Sequence, residues 1–447
     1  MRRALRRVCV ATLRGAVTGG VLRGGFAIAT ALMRGGRGKS LTQRSRDVLT
    51  EATRWAFFLG AFSFTFTFTD EAVGCLLGKQ QTKMWRTALA GLVAGPTLML
   101  TSFGMKSSNR STQTGLATYL LVRALLLCVR LGNRPTSPKA LRSLLWISRW
   151  KHADTLCMCI ASSQVLYSWI MMPHTLPASY VKFLNKHSGK SKDVVKGIRL
   201  VAERNGVKLG LRSQGGDDPM LISKAHPLAL KPSTKNICEF LHPGQSCQSH
   251  FFCFLPRAYL RALPVYVPIY VVPALLVHRD KFLKKPADVT GRTLLGIARS
   301  SLFLACYCGG AWGSVCAAHS AMGFTIGPSI ALSAGSGLAT LIEKKSRRVE
   351  LAIYVLSRAI ESFSLSMTEW RLLPLFFADQ LDLITFSIAS SIILHCYTHE
   401  RDIFKEKYLN VFDWLFGNYG HDSSKIRHVR SSLLLADTET AAAKATE

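Results

Sequence analysis

S-T-Q-T-G-L-A-T-Y-L-L-V-R-A, Ser111 to Ala124, decides how the chain is read. It returns 235 residues later as S-R-R-V-E-L-A-I-Y-V-L-S-R-A, Ser346 to Ala359. Ser, Leu-Ala, Tyr and Arg-Ala recur at one offset, and each copy follows a Gly-rich apolar run and a short basic loop. Upstream, A-L-A-G-L-V-A-G (Ala88–Gly95) has a looser echo in A-L-S-A-G-S-G (Ala331–Gly337). Downstream, I-A-S-S stands at Ile160–Ser163 and again at Ile388–Ser391, each with an aspartate six residues before it, Asp154 and Asp382. Several features recurring in one order point to an internal duplication. The expected architecture is all-α: a polytopic membrane protein of two homologous helical halves, each with four to five membrane segments.

The apolar fraction is 48% of 447 residues, with positive mean hydropathy. Several apolar blocks run for about 18 residues or more, enough to cross a hydrocarbon layer of roughly 30 Å. Lys and Arg number 57 against 26 acids, a net charge of +31. These cations lie mainly in short loops between apolar blocks, without interleaved aromatics. Such placement fits anionic lipid headgroups and excludes nucleic acid as the partner. Twelve cysteines fit no secreted disulfide framework, and eight of them sit in apolar blocks as small hydrophobes.

Residues 1–46 hold ten arginines and no acid, the composition of a mitochondrial presequence; the alternative is a first, Gly-rich membrane helix over Val8–Met33. In that helix Gly15/Gly19 and Gly20/Gly24 would let another helix approach closely. Residues 47–180 form the first helical repeat. Its block Trp55–Leu77 contains F-S-F-T-F-T-F-T (Phe62 to Thr69), a period-two pattern of strands. A lone strand would leave its backbone unsatisfied in lipid, so helix is expected there. Residues 181–236 read as a basic polar linker with one amphipathic helix at Asp193–Asn205. Residues 237–400 open Cys-rich and continue as the second repeat, in which four prolines predict a kinked or broken helix at Tyr259–His278. Residues 401–447 begin amphipathic, at Ile403–Phe416, and end in a disordered composition. Loop charge does not fix orientation, since both sides are basic.

Acids within apolar segments are costly and point to function or to pairing. Asp70, Glu71 and Glu361 are such acids, and Arg123 and Arg358 hold matching places in the two repeats. The arginines either snorkel to headgroups or line a polar interior against those acids. Leu116, Tyr119 and Arg123, like Leu351, Tyr354 and Arg358, fit the permissive sterol-contact pattern. Gly91 and Gly95, followed by Pro96, offer a close-packing face, as do Gly309, Gly313 and Gly335. The densest ligand-bearing stretch is Cys238-x3-His242-x4-Cys247-x2-His250-x2-Cys253. Zinc, a disulfide and unliganded structural residues all remain open for it, because the spacing matches no standard finger. G-G-R-G-K-S (Gly35–Ser40) lacks the first glycine of a phosphate loop, where Met33 stands. No metalloprotease helix, no nucleophile elbow and no Ser/His/Asp set is present, so no enzyme and no cofactor beyond zinc is expected.

C-E-F-L-H-P-G-Q-S-C (Cys238–Cys247), followed by P-V-Y-V-P-I-Y-V-V-P-A-L-L (Pro264–Leu276), resembles the Cys-rich start of the transmembrane protein 135 family. L-I-E-K-K-S-R-R (Leu341–Arg348) is similar to that family's first repeat. K-H-A-D-T-L-C-M-C-I-A-S-S (Lys151–Ser163) and L-P-A-S-Y-V-K-F-L (Leu176–Leu184) resemble its C-terminal repeat. That repeat belongs with mitochondrial inner-membrane translocase subunits 17, 22 and 23 and a peroxisomal membrane protein. The order departs from the family's, because here the translocase-like repeat comes first. The resemblance implies an integral protein of the mitochondrial or peroxisomal membrane, acting in lipid or metabolite transport or organelle dynamics. A translocase-like subunit and a scaffold recruiting partners through the basic linker are the alternatives. Membrane lipids, anionic or sterol, and homo- or hetero-oligomers are the expected partners.

Overall fold

The computed structural model describes residues 2–33, 40–102, 110–204, 237–276, 284, 286–323, 326–372 and 375–417. Among them every regular element is α-helical or 3-10, with no strand. In order the helices are α1 (Arg2–Met33), α2 (Leu41–Leu76), α3 (Arg86–Ala94), α4 (Arg110–Gly132), α5 (Lys139–Leu144), α6 (Ala153–Met171), α7 (Ala178–His187) and α8 (Lys192–Arg204). They continue with α9 (Ile237–Leu241), α10 (Cys247–Leu276), α11 (Pro286–Met322), α12 (Ile326–Ala331), α13 (Lys345–Glu369), α14 (Leu375–His399) and α15 (Glu406–Phe416). Residues 205–236 of the expected linker, residues 35–39 of G-G-R-G-K-S and the tail from 418 lie outside the described residues.

Four described helices are long and apolar enough to cross a membrane: Thr112–Gly132, Cys247–Leu275, Pro286–Met322 and Gln380–His399. The sequence led to an expectation of eight to ten membrane segments. Two of the other blocks stay outside this set for visible reasons. The block at 87–104 is not one helix, since α3 tightens into a 3-10 segment at Gly95–Ser102. Pro96 there lacks the N–H that an α-helix would need. Helix α2 is long enough, but its charged residues Arg54, Asp70 and Glu71 interrupt the apolar run. The four prolines do not break α10, which runs through Pro256, Pro264, Pro268 and Pro273. Pro264 and Pro268 are four apart, so the missing donors share one face.

The contacts divide the chain into two compact units. The first holds residues 1–113, 123–131 and 383–447; the second holds 114–122 and 132–382. In the first unit α1 and α2 form a tight hairpin over small residues. A Cβ on Gly15 would stand 2.5 Å from the Leu59 carbonyl oxygen, and one on Gly19 would overlap the Trp55 carbonyl. Ser40 caps α2, its Oγ accepting the Gln43 N–H at 3.3 Å. The period-two phenylalanines are resolved by the helix into two faces. Phe58 and Phe66 are buried, Phe66 at 4.9 Å from the Phe416 ring, whereas Phe64 and Phe68 stack on each other outside.

In the second unit α6 is central. Met158, Val165, Trp169 and Ile170 are buried in one core with Phe303, Trp312 and Val315 of α11 and Val355 of α13. Trp169 and Trp312 lie 5.8 Å apart. Helix α8 adds Val195, Ile198, Val201 and Ala202 to the same core, the apolar face of the expected amphipathic helix. Packing glycines recur: a Cβ on Gly335 would meet Ser314 Cβ at 2.9 Å, and one on Gly337 would stand 2.5 Å from Cys159 Cα.

Candidate functional site

Three polar or apolar constellations are assembled by these helices. The first involves the charged residues of the apolar segments. Asp70 is almost fully buried and accepts from Arg86 Nε at 2.8 Å. Glu71 accepts from Arg7 at 2.6 Å and Lys79 at 2.8 Å. In the other unit, Arg358 pairs with buried Glu361 at 2.5 Å and lies over the Tyr354 ring at 5.6 Å. Arg123 is not brought to Asp70; its guanidinium lies 5.2 Å over the Tyr408 ring. Both matched arginines thus lie over an aromatic face, and Arg358 also meets an acid.

Around these residues, positions 228 apart have the same local geometry in the two units. One-turn 3-10 segments stand at Pro173–Thr175 and Arg401–Ile403. Helices begin at Ala178 and Glu406. Trp169 Nε1 donates to Asn185 at 2.8 Å, and Tyr397 OH donates to Asp413 at 2.7 Å. Gly189 and Gly417 both take positive φ, 69° and 76°, just beyond those helices, a backbone state that favours glycine.

The second constellation is a groove of about 800 Å³ between α6, α12 and α13. Ile160, Leu356, Ile360 and Phe363 make its walls, with Gln164 and Tyr167 as polar points. Ile160, Leu332 and Phe363 remain largely exposed, so the groove is open along its side. A second apolar groove of about 650 Å³ runs along α1 and α2, past Val8, Leu13 and Phe68.

The third is the Cys/His cluster. Cys238 and His242 stand on and just beyond α9, where Gly244 at φ 71° turns the chain back so that Cys247 opens α10. Cys316 of α11 joins them, and the four potential ligand atoms lie within 4.8 Å of one another. His250 and Cys253 do not join. His250 Nε2 is 3.0 Å from Lys190 Nζ, and Cys253 is exposed further along α10. No local signal marks Cys316, which reads as one more small apolar residue in a membrane block. Gly309 and Gly313 line the small cavity beside the cluster, where a Cβ on Gly309 would touch Phe251 at 3.2 Å. Burial pulls Lys190 down to about 8. Burial, with Lys186 and Arg261 nearby, pulls His187 down to about 4, so this histidine enters the core uncharged near neutral pH.

No curated protein and no solved structure matches the chain. Residues 236–367, under a third of the chain, match the N-terminal cysteine-rich region of Transmembrane protein 135. All four clustered residues, α10, α11 and most of α13 fall inside that match, which supports kinship of this multi-pass membrane protein with the transmembrane protein 135 family.

Proposed function

We propose that this chain is a non-enzymatic protein of the mitochondrial or peroxisomal membrane that holds and moves a lipid or lipid-like metabolite. The open groove between α6, α12 and α13 carries this reading. Its volume, about 800 Å³, lies within the range of small-molecule sites. Its apolar walls suit an acyl chain or a sterol, while Gln164 and Tyr167 offer hydrogen bonds to a headgroup or hydroxyl. We further infer that the two halves arose by duplication. The matched turns, the Trp169–Asn185 and Tyr397–Asp413 bonds and the paired glycines support this. So does a reciprocal contact: first-half Gly95 packs on Ser387, and second-half Gly337 packs on Cys159, with Cys159 and Ser387 both just before an I-A-S-S.

The translocase-like alternative would turn Asp70 and Glu71 toward a basic presequence. Both acids are instead held by Arg86, Arg7 and Lys79, which favours the lipid reading. The test uses the full chain in vesicles with a diazirine-bearing phosphatidylcholine and, separately, a photoreactive sterol. Labelling is expected to concentrate on peptides spanning 160–167 and 356–363. Ile360→Trp, which fills the groove, should reduce it several-fold and slow lipid transfer between vesicles. Labelling spread evenly over every lipid-facing helix, unchanged by Ile360→Trp, would count against the proposal.

A further inference from the structure

We propose that Cys238, His242, Cys247 and Cys316 form a closed structural zinc centre, built by a short helix, a glycine turn and a distant membrane helix. The first argument is metric. Zinc at about 2.3 Å from thiolate sulfur and about 2.0–2.1 Å from imidazole nitrogen fixes tetrahedral edges of roughly 3.8 Å between sulfurs and roughly 3.6 Å from sulfur to nitrogen. Here Cys238 Sγ and Cys247 Sγ are 3.7 Å apart. His242 Nε2 lies 3.3 Å from Cys247 Sγ and 3.6 Å from Cys316 Sγ.

The second argument is the orientation of the imidazole. His242 Nδ1 donates to the Gln245 carbonyl at 2.8 Å. That bond assigns the proton to Nδ1 and leaves the Nε2 lone pair facing the sulfurs, the arrangement by which metal-bound histidines are usually held. The third is the setting. His242 and Cys316 are buried, and a cavity of about 20 Å³ borders His242, Cys247 and Cys316. Metal binding displaces one proton from each of three thiols and leaves the centre with a net single negative charge. The Lys190 ammonium, which donates to the Leu241 carbonyl, supplies a neighbouring cation. Four protein ligands fill the tetrahedron, so the centre has no open position for substrate and its role is structural. It ties α9 and the start of α10 to α11, across the 68 residues between Cys247 and Cys316.

The full chain, purified reduced in detergent from cells given no added metal, is assayed for zinc by mass spectrometry of the elements. About one zinc per chain is expected. Cys316→Ser should lower it several-fold, while His250→Ala and Cys253→Ser should keep it. Absence of zinc from the parent, full zinc in Cys316→Ser, or its loss in His250→Ala or Cys253→Ser would overturn the proposal. Should Cys316→Ser fail to fold, alkylation of the parent decides. Cys238, Cys247 and Cys316 should be shielded until a chelator is added and then react together. Labelling of these three that a chelator does not change overturns the proposal, as does recovery of Cys238 and Cys247 joined as a disulfide.

Discussion

Gly95→Leu is expected to lower the thermal midpoint of the protein in detergent sharply and to reduce the folded yield. A Cβ at this position would overlap the Ser387 hydroxyl and stand 2.5 Å from the Ser387 Cα. One turn earlier, a Cβ on Gly91 would stand 2.8 Å from Ser391 Cα and 2.9 Å from the Ser390 carbonyl. The obstacles are mainly backbone atoms, which cannot rotate aside as a side-chain tip can. The contact is also fastened, because Ser391 Oγ donates to the Ala88 carbonyl at 2.8 Å. In lipid, helices associate through such packing and interhelical hydrogen bonds, without a hydrophobic gain to compensate for its loss. Leucine must therefore push α14 away from α3, at a cost on the order of 3 kcal/mol or more from overpacking. Gly337→Leu should behave alike through Cys159, whose Cα is 2.5 Å from the added carbon. Gly25→Ala is the control. Nothing stands within 4 Å of its Cβ, and the helix should gain about 1 kcal/mol. Midpoints of Gly95→Leu and Gly25→Ala within error of each other would remove the argument.

The glycines and the I-A-S-S segments were both legible in the sequence, yet which would meet which was not. A small-residue face states that something comes close, not what. Read along the chain, Ala88–Gly95 and Ala331–Gly337 look like parallel echoes. Folding brings Gly95 to the second I-A-S-S region and Gly337 to the first, and only three-dimensional packing can reveal that exchange. The helical state of Phe62–Thr69 was accessible because backbone satisfaction in lipid outweighs a two-residue period. Three of the four residues of the proposed metal-ligand set were accessible. Cys238, His242 and Cys247 are close in sequence, whereas Cys316 arrives from a separate helix and carries no local signal. His250 and Cys253 looked equally eligible by spacing, but neither joins the four clustered ligand atoms; the His250 ring stacks on His242 at 5.1 Å instead. Arg123 and Arg358 share a register in their repeats. Glu361, which pairs with Arg358, has Leu126 as its counterpart in the first repeat, so that acid is not duplicated.

Glu361→Gln is expected to destabilise the second unit more than either member of the Arg358–Glu361 pair would suggest if it simply reached for headgroups. Glu361 is only 2% exposed, and its Oε2 is 2.5 Å from Arg358 Nη1, one helical turn away. The guanidinium is enclosed further, over the Tyr354 ring and 3.1 Å from where a Cβ on Gly115 would stand. Glu361→Gln removes the nearest counter-charge of the enclosed guanidinium, and losing one member of a buried pair costs up to about 3–5 kcal/mol. Removing both takes the pair away together. Arg358→Met combined with Glu361→Leu should therefore recover most of the loss, because a packed apolar pair of similar volume can match or exceed a buried ion pair. Arg358→Lys should fall between, since lysine keeps the charge but not the planar fork or its stacking on Tyr354. Exchanging the two, Arg358→Glu with Glu361→Arg, should likewise be more stable than Arg358→Glu alone. The measurements are thermal midpoints and folded yields in one detergent. A Glu361→Gln protein as stable as the parent would show that the pair is solvated, with Arg358 snorkelling. A double variant no more stable than the single would show that Glu361 acts through something other than Arg358.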